Sequence, residues 1–407
     1  MKIGIFGIVL ALNFTMRLAL VKILSIALFA FPLFGKAEKT RWQFPFYGKT
    51  VTVNIPNELI DFSFPENNFD YILVSRNLNE IHKLKLNETI DELRQQSKDF
   101  SLDNIGYFQL LKYFSASCFP KQTNNFRKAI VWYGLRQGGV DAVLGGNTAY
   151  FNLFVRMENS PDGGFAITHQ GKKYVSASVD KIQYASLEIY RLQLMQDSAA
   201  EALQLDMYNT PLLGHTIKSK TRTFSYGNQT FTLNTKYNSD VVNYLNDLPS
   251  FRIGSYLYTL APSEEAQKSM DDSLEIWLKN KTYGEKLTFI LALVQNAFPY
   301  KADADYRKSE KRNFVEQTMA DEYIDCEDKA ALFCYLVNKY LGAETVMLYS
   351  KSATHVCCAI ELPEKAPGFT FKYFGKPYLV CEPAFEGLKP GETELTKDEI
   401  MHLEVFN

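Results

Sequence analysis

The sequence has no excess of charge of either sign. Its 44 Lys and Arg residues are balanced by 46 Asp and Glu residues, for a formal net charge of -2. A global basic field that would attract nucleic acid or an anionic membrane surface is therefore missing. Disorder is also excluded, because 46% of the 407 residues are hydrophobic and only 22% are charged. The composition predicts a globular protein with more than one packed unit.

Long apolar runs are missing beyond residue 34, so no later segment is expected to span a membrane. The start of the chain differs, because Arg17 and Lys22 are the only charges from Ile3 to Phe34. We interpret residues 1–37 as an export signal that is cleaved after Ala37. The alternative is an uncleaved membrane anchor. The charge of Lys22 inside the apolar run argues against this alternative. We expect an exported protein of the periplasm or cell envelope, with no stable membrane span after cleavage.

Met16 directly precedes Arg17 and could be the true first residue. A chain that starts there would have a signal of ordinary length. No cysteine follows the apolar run, so a lipoprotein attachment is not predicted. The six cysteines also lack the two-residue spacing of a zinc knuckle, and Cys118 stands apart from the five in the last quarter of the chain. We therefore predict neither a disulfide framework nor a metal or other cofactor.

Hydrophobic periodicity predicts an α+β protein in which helices pack on antiparallel strands. The predicted helices cover residues 90–96, 126–135, 186–207, 266–279, 283–297 and 326–340. The predicted strand segments cover residues 42–55, 149–157, 173–178, 224–233, 253–260, 345–349, 355–361, 369–373 and 378–381. We divide the chain into the signal 1–37, an N-terminal α+β domain 38–180, a helix-plus-β linker region 181–263 and a C-terminal domain 264–407.

The order of elements repeats within the chain. Gly138 and Gly171 are separated by 33 residues, as are Gly342 and Gly375, and the two pairs are offset by 204 residues. At this offset the helix at 126–135 aligns with 330–339, and the strand at 151–156 aligns with 355–360. The N-terminal domain is accordingly interpreted as a degenerate copy of the C-terminal one, with chance recurrence of helix, strand and glycine turn as the alternative.

The segment that begins at Asp325 has the features of a nucleophile site. A helix N-terminus and a nearby imidazolium lower the pKa of a cysteine into the reactive range, and Cys326 begins a predicted helix. Asp325 is the expected N-cap, with Asp328 three residues later. Glu327 and Asp328 would oppose a thiolate, so most of the activation has to come from a histidine.

Two later residues complete the candidate triad. His355 begins a strand and is expected to act as general base, and Glu382 ends a later strand, where it can orient the imidazole. The backbone N–H of Cys326 is one candidate oxyanion donor, and Tyr323 or Gln317 is the second. Taken singly, Cys326, His355 and Glu382 could also be a buried cysteine, a hydrogen-bonded histidine and a solvated acid. In the alignment at the 204-residue offset, they correspond to Gln122, Phe151 and Ser178.

Residues 274–391, about a third of the chain, resemble the transglutaminase-like superfamily, and most closely its exported bacterial members common in Bacteroidota. The resembling motifs are VQNAFPYK at 294–301, DCEDKAALF at 325–333, YLV at 335–337, HV at 355–356 and CEPAF at 381–385. The resemblance implies a papain-like fold, a triad of Cys326, His355 and Glu382, and hydrolysis or transfer of amide bonds.

Two positions depart from the family pattern. Members usually have Asp-Pro-Thr where this chain has Glu382-Pro383-Ala384, and a glycine commonly precedes the histidine where Thr354 stands. We predict a cysteine enzyme that forms a thioester with a protein or peptide substrate, with hydrolysis favoured over transfer. The alternative is a catalytically inactive binding or scaffolding protein. Neither the acceptor nor the oligomeric state follows from the sequence.

Overall fold

The computed structural model describes residues 39–406 except 159–164, 178–186, 191–199, 205–209, 308–309, 363–366, 397–398 and 400–403. The predicted signal 1–37 and Ser178 lie outside the described residues. Residues Lys39–Asn407 group into one compact unit by their contacts. In the described part of the chain, no helix is both long and apolar enough to cross a membrane.

The described residues form an α+β protein, as predicted. The strands are β1 (Lys39–Phe46), β2 (Lys49–Pro56), β3 (Ala142–Gly146), β4 (Phe151–Arg156), β5 (Ala166–His169), β6 (Lys172–Ser176), β7 (Glu188–Tyr190), β8 (Ile217–Tyr226), β9 (Gln229–Asn238), β10 (Thr345–Ser350), β11 (His355–Glu361), β12 (Thr370–Tyr373), β13 (Lys376–Cys381) and β14 (Glu404–Phe406). The helices are α1 (Asn57–Ile60), α2 (Tyr71–Lys83), α3 (Leu86–Asp99), α4 (Asn104–Cys118), α5 (Asn124–Gln137), α6 (Ser239–Asn246), α7 (Tyr256–Thr259), α8 (Glu264–Leu278), α9 (Tyr283–Ala297), α10 (Asp303–Tyr306), α11 (Val315–Ala320) and α12 (Cys326–Leu341).

Two five-stranded antiparallel sheets have the same strand order. The first runs β5-β6-β4-β3-β7 and the second runs β12-β13-β11-β10-β14. Each sheet is preceded in the chain by a helix that packs on two of its three inner strands, α5 on β3 and β4, and α12 on β10 and β11. The two halves of the molecule therefore share one arrangement of helix and sheet.

The strand register repeats at the offset of 204 residues. Gly146 pairs with Phe151 in the first sheet, and Ser350 pairs with His355 in the second. The turns at Gly171 and Gly375 both have positive φ, which glycine adopts without steric cost. One difference is a single-residue shift in the pairing of β11 with β13 relative to that of β4 with β6.

Each half also begins with a two-stranded hairpin, β1–β2 or β8–β9. Both hairpins turn at a Tyr-Gly pair, and the second strands carry TVTVN at 50–54 and TFTLN at 230–234. The first hairpin packs on α3 and α4, whereas the second packs on α8 and α9. One hydrophobic cluster extends from Phe44 to Phe314 and another from Phe224 to Cys381, and Tyr256 packs against both.

Two predicted elements differ in the structure. The helix predicted at 186–207 is wrong at 188–190, where β7 pairs with the edge of β3, and residues 191–199 and 205–209 lie outside the described part. Glu201 and Leu203 form parallel bridges to Val140 and Met157, because the adjacent backbone offers unpaired hydrogen-bonding groups. The strand predicted at 253–260 contains the helical turn α7, which inserts Leu257 and Tyr258 into the second core.

The β8–β9 hairpin is joined to α11 by buried polar contacts. Arg222 is 6% exposed, and its guanidinium donates to the carbonyl oxygens of Met319 and Asp321, both at 2.8 Å, at the C-terminal end of α11. A cation near the last carbonyls of a helix is favourable. The buried Glu316 carboxylate accepts from the backbone N–H groups of Asn238 at 2.7 Å and Ser263 at 2.8 Å. These contacts fix the loop that leads to Cys326.

Candidate active site

Cys326 occupies the first residue of α12, as predicted, and it lies 8% exposed at the edge of the second core. The other five cysteines are between 0% and 2% exposed, so Cys326 is the most accessible thiol of the chain. All six cysteines are free. Asp325 stands at the N-cap position, but its side chain makes no capping hydrogen bond. The expected position of Asp325 is thus correct, while its expected capping bond is not made.

The Cys326 thiol lies between a carboxylate and a backbone donor. Its Sγ donates to Glu327 Oε2 at 3.1 Å, and the backbone N–H of Val356 hydrogen-bonds the sulfur. Burial, followed by the charges of Glu327 and Asp325, raises the pKa of the Cys326 thiol well above its ordinary value, and the Val356 bond only partly opposes this. Of the two first-turn acids predicted to oppose a thiolate, Glu327 raises the pKa of Cys326, and the second contributing acid is Asp325 instead of Asp328.

His355 and Glu382 are in direct contact. His355 Nε2 lies 2.8 Å from Glu382 Oε1, and the other carboxylate oxygen accepts from Thr393 Oγ1 at 3.1 Å. The Glu382 side chain is fully buried, so both of these partners compensate for the lost hydration of its oxygens. Val356, which bonds the Cys326 sulfur, directly follows His355, so the start of β11 lies beside the first residue of α12. His355 and Glu382 are thus in contact, and the ion pair of Cys326 with His355 stays a prediction.

Gln295 holds the loop that carries Glu382. Its buried side-chain amide donates to the backbone carbonyls of Glu382 and Leu388, both at 3.0 Å. The backbone carbonyl of Gln295 accepts a hydrogen bond from Lys329 Nζ at 2.9 Å. Burial lowers the pKa of Lys329 to about 8. Gln295 thereby connects α12, which begins at Cys326, with both ends of the loop of residues 382–388. We call this segment the acidic loop.

The residue before His355 has an uncommon backbone conformation. Thr354 has a φ of 48°, which a β-branched residue rarely adopts and which glycine adopts freely. This is the position at which the resembling family commonly has glycine. The half-exposed Phe385 packs against the imidazole of His355 with ring centroids 5.1 Å apart. His355 therefore follows a strained turn residue, and its ring contacts an aromatic side chain.

The two side chains predicted as oxyanion donors have different surroundings. Gln317 is 1% exposed, and its Oε1 accepts from the backbone N–H of Phe314 at 2.9 Å, which caps the start of α11. Its Nε2 donates to Asn246 Oδ1 at 2.9 Å. Tyr323 is partly buried, with its ring against Tyr306 and beneath Lys301 Nζ. The oxyanion roles of both remain predictions, and the first-turn N–H of Cys326 remains the backbone candidate.

Sequence reasoning did not identify three contributors to the site. Gln295 lies within a motif that carries the resemblance, but its role depends on contacts across the fold. Thr393 has no sequence signal, since it lies 11 residues after its partner Glu382. Glu327 was expected only as a charge on the helix dipole, and the structure makes it the direct partner of the thiol.

No family model matches the chain, and comparisons with curated proteins and with solved structures find no match. The membership of the transglutaminase-like superfamily and the papain-like character of the second half therefore stay predictions from the motifs around Cys326, His355 and Glu382.

Proposed function

We propose that the chain is an exported, transglutaminase-like cysteine enzyme that cleaves a peptide or isopeptide amide through a thioester at Cys326. The observation that carries the proposal is the 2.8 Å contact between His355 Nε2 and Glu382 Oε1, with the next residue, Val356, hydrogen-bonded through its backbone to the Cys326 sulfur. A histidine held by a buried acid next to a thiol at a helix N-terminus is an arrangement suited to acyl transfer. Export is inferred from the sequence of residues 1–37 alone.

The first half-reaction forms the thioester. His355 accepts the proton of the Cys326 thiol, and the sulfur attacks the carbonyl carbon of the substrate amide. The tetrahedral intermediate then breaks its C–N bond, and the same proton leaves with the amine. Glu382 accepts a hydrogen bond from Nε2, so Nδ1 is the ring nitrogen that remains to exchange the proton.

The second half-reaction releases the acyl group. Water donates a proton to His355 and attacks the thioester carbonyl, and collapse of the intermediate returns the proton to the Cys326 sulfur with release of a carboxylic acid. A primary amine in place of water would give a new amide by the same steps. Hydrolysis is the proposed outcome because the described residues show no feature selective for an amine acceptor.

A second candidate is a catalytically silent binding or scaffolding protein. One observation favours it, since Cys326 Sγ donates to Glu327 Oε2 at 3.1 Å, and burial together with the charge of Glu327 raises the pKa of that thiol. The two candidates differ in a measurable property. A catalytic site requires that His355 can form an ion pair with Cys326, whereas a silent site does not.

The deciding experiment is the rate of iodoacetamide alkylation of Cys326 from about pH 4 to about pH 9, read by peptide mass. A thiolate that persists below neutral pH and disappears in His355→Ala supports the enzyme. A single titration at or above the ordinary thiol range, unchanged in His355→Ala and Glu382→Ala, supports the silent protein. Cys118 in the first half is an internal control, because burial raises its pKa and no charged partner contributes.

A further inference from the structure

An open groove lies at the end of the second sheet that is remote from the candidate triad. It has a volume of about 520 Å³ and is bounded by the end of α12, the start of β10 and the turn between β12 and β13. His355 pairs with Ser350 at one end of β10, whereas Thr345 at the other end lines the groove. Along α12, Asn338 of the groove lies about 18 Å from Cys326, at a rise of about 1.5 Å per residue. The groove is therefore separate from the candidate active site.

The rim of the groove carries an exposed aromatic residue in an uncommon backbone conformation. Phe374 is 85% exposed, and its φ is 45°, which bulky residues rarely adopt. At the same position of the equivalent turn, the first half has the polar residue Gln170, with a φ of 50°. Burial and backbone preference therefore do not account for a phenylalanine here. Such a residue at a strained position is typical of a binding site.

Phe374 ends a row of aromatic rings along the β12–β13 hairpin. Its ring centroid lies 4.5 Å from that of Tyr373, in an edge-to-face contact. Tyr373 packs 5.8 Å from Tyr378, and Tyr378 packs 5.9 Å from Phe371. Because Tyr378 is 3% exposed, the row is anchored at its inner end. The structure thus supports an exposed aromatic face at the rim of the groove.

The polar lining of the groove has no net charge. Of the residues that line it, only Glu344 and Lys376 are charged, and Lys376 Nζ lies 3.2 Å from Glu344 Oε2. Tyr378 donates to the same carboxylate oxygen at 3.2 Å. Asn338 Oδ1 accepts from Thr345 Oγ1 at 3.0 Å, which leaves the NH₂ group of Asn338 to donate to a ligand. The groove therefore combines donors and acceptors without a field of one sign.

The first half contains the same arrangement of lysine, tyrosine and acid in a closed form. Lys172 and the hydroxyl of Tyr174 contact the Asp141 carboxylate at 3.3 Å and 3.1 Å. Asp141 is 5% exposed, whereas the side chain of Glu344 is 68% exposed. The second half therefore opens to solvent a polar cluster that the first half buries, and it places Phe374 beside the opening.

We propose that this groove binds a segment of a neutral glycan, with one sugar ring stacked on Phe374. The C–H face of a sugar is apolar and matches an aromatic ring, whereas its hydroxyl groups both donate and accept hydrogen bonds. Glu344 supplies acceptors, and Asn338 and Lys376 supply donors. A charged ligand would compete with the ion pair of Glu344 and Lys376, and a peptide would be anchored best by an enclosed apolar pocket, which this open groove does not provide. The inference is independent of the chemistry proposed at Cys326.

The experiment is native affinity electrophoresis of the protein in gels that contain a neutral polysaccharide, namely a glucan, a mannan or an arabinoxylan, or the anionic polymer polygalacturonate. Phe374→Ala is the main variant, because an exposed side chain can be removed without loss of core packing. Phe374→Trp keeps an aromatic face. Gln170→Ala is the matched control at the equivalent turn of the first half, and Ile72→Ala removes another exposed apolar side chain, which is 79% exposed.

We expect migration to be retarded in at least one of the three neutral gels. The dissociation constant should be at least about tenfold weaker in Phe374→Ala and should change by less than about twofold in Phe374→Trp, Gln170→Ala and Ile72→Ala. Unretarded migration in all three neutral gels, retardation by polygalacturonate alone, or equal affinities of wild type and Phe374→Ala would overturn the site. Cys326→Ala should migrate as wild type does in every gel, so failure of the proposed chemistry and failure of glycan binding are distinct results.

Discussion

The two halves of the molecule place different chemistry on the same arrangement of helix and sheet. At the position of His355, the first half has Phe151, whose ring packs 5.5 Å from both Phe64 and Phe69. The helix α5 is capped by Thr123, whose side chain accepts from Phe126 N at 3.2 Å, whereas the N-cap residue of α12 makes no such bond. One half fills the position with apolar contacts, and the other leaves it polar.

The comparison identifies features of the second half that lower its stability. It carries the buried carboxylates of Glu382 and Glu327, the unpartnered oxygen of Asp325 and a positive φ at Thr354. The corresponding residue of the first half, Tyr150, has no positive φ. Strained backbone and buried, incompletely paired polar groups are typical of sites that carry function. The following variants test whether these costs belong to a working site.

The largest expected effect comes from replacing His355 of the second half with phenylalanine, the residue at the aligned position 151 of the first half. In His355→Phe, the general base is lost, and we expect the turnover of an amide substrate, or Cys326 alkylation at neutral pH, to fall by about 10²–10⁴-fold. The control is His215→Phe, which removes an exposed histidine that also faces a glutamate, Glu265 at 3.1 Å. Equal rates in wild type and His355→Phe would contradict the triad.

The reverse exchange tests stability in the first half. Phe151→His places an imidazole in an aromatic cluster that includes Tyr190, and we expect it to lower the free energy of unfolding by about 2–4 kcal/mol. Urea unfolding measures the change. Tyr150→His is the matched control, because the neighbouring Tyr150 is 40% exposed. If Phe151→His were no more destabilising than Tyr150→His, the position would not be a packing site.

Gln295→Met tests whether the acidic loop needs its anchor. The carbonyl oxygens of Glu382 and Leu388 would lose a buried donor, so we expect about 2 kcal/mol less stability in urea unfolding. In addition, the thiolate arm of the Cys326 alkylation profile should weaken, because Glu382 no longer holds the imidazole. Asn296→Leu is the control, since the Asn296 amide donates to the backbone carbonyl of Ala292 in its own helix. A stability loss with an unaltered profile would restrict Gln295 to a structural role.

Glu327→Gln tests the opposition of the neighbouring acid to the thiolate. The charge of Glu327 raises the pKa of the Cys326 thiol, so its removal should move the midpoint of alkylation to lower pH. The thiolate fraction near neutral pH should rise about tenfold for each unit of that movement. Glu322→Gln, an exposed acid paired with Lys220, should leave the midpoint unchanged. A midpoint that moves upward would show that Glu327 supports the thiolate instead.

The smallest expected effect is a gain in stability from Thr354→Gly. Relief of the positive φ should raise the free energy of unfolding by about 1 kcal/mol, less the entropy that glycine adds to the unfolded chain. Lys351→Gly in the same turn should give no gain, because Lys351 does not have a positive φ. A loss of stability in Thr354→Gly would show that the side chain of Thr354 contributes more than its backbone costs.

Local patterns predicted the parts of the fold that depend on local chemistry. The helix α9 has the predicted bounds, 283–297, because Thr282 and Glu285 form a capping box at its start. The helix α12 ends at Leu341, one residue beyond the predicted end, because Gly342 follows it with a φ of 64°. The α+β class and both glycine turns of the 204-residue offset follow from the same kind of signal.

Contacts between distant segments could not be predicted in this way. The strand β7 forms at the free edge of β3, so its partner and not its own composition decides its structure. The ties from Gln295 to the acidic loop join residues that no spacing rule connects. The candidate triad residues could be proposed because each begins or directly follows a regular element, whereas their supporting residues do not.

The contact of Arg222 with the end of α11 has a consequence for the separability of the second half. A fragment that begins at residue 264, the predicted start of the C-terminal domain, would contain the whole triad but lack Arg222. The last carbonyls of α11 would then lose their buried cation four residues before Asp325. The smallest autonomous catalytic fragment should therefore begin before the hairpin at Ile217, and limited proteolysis between 238 and 264 should release two pieces that stay associated.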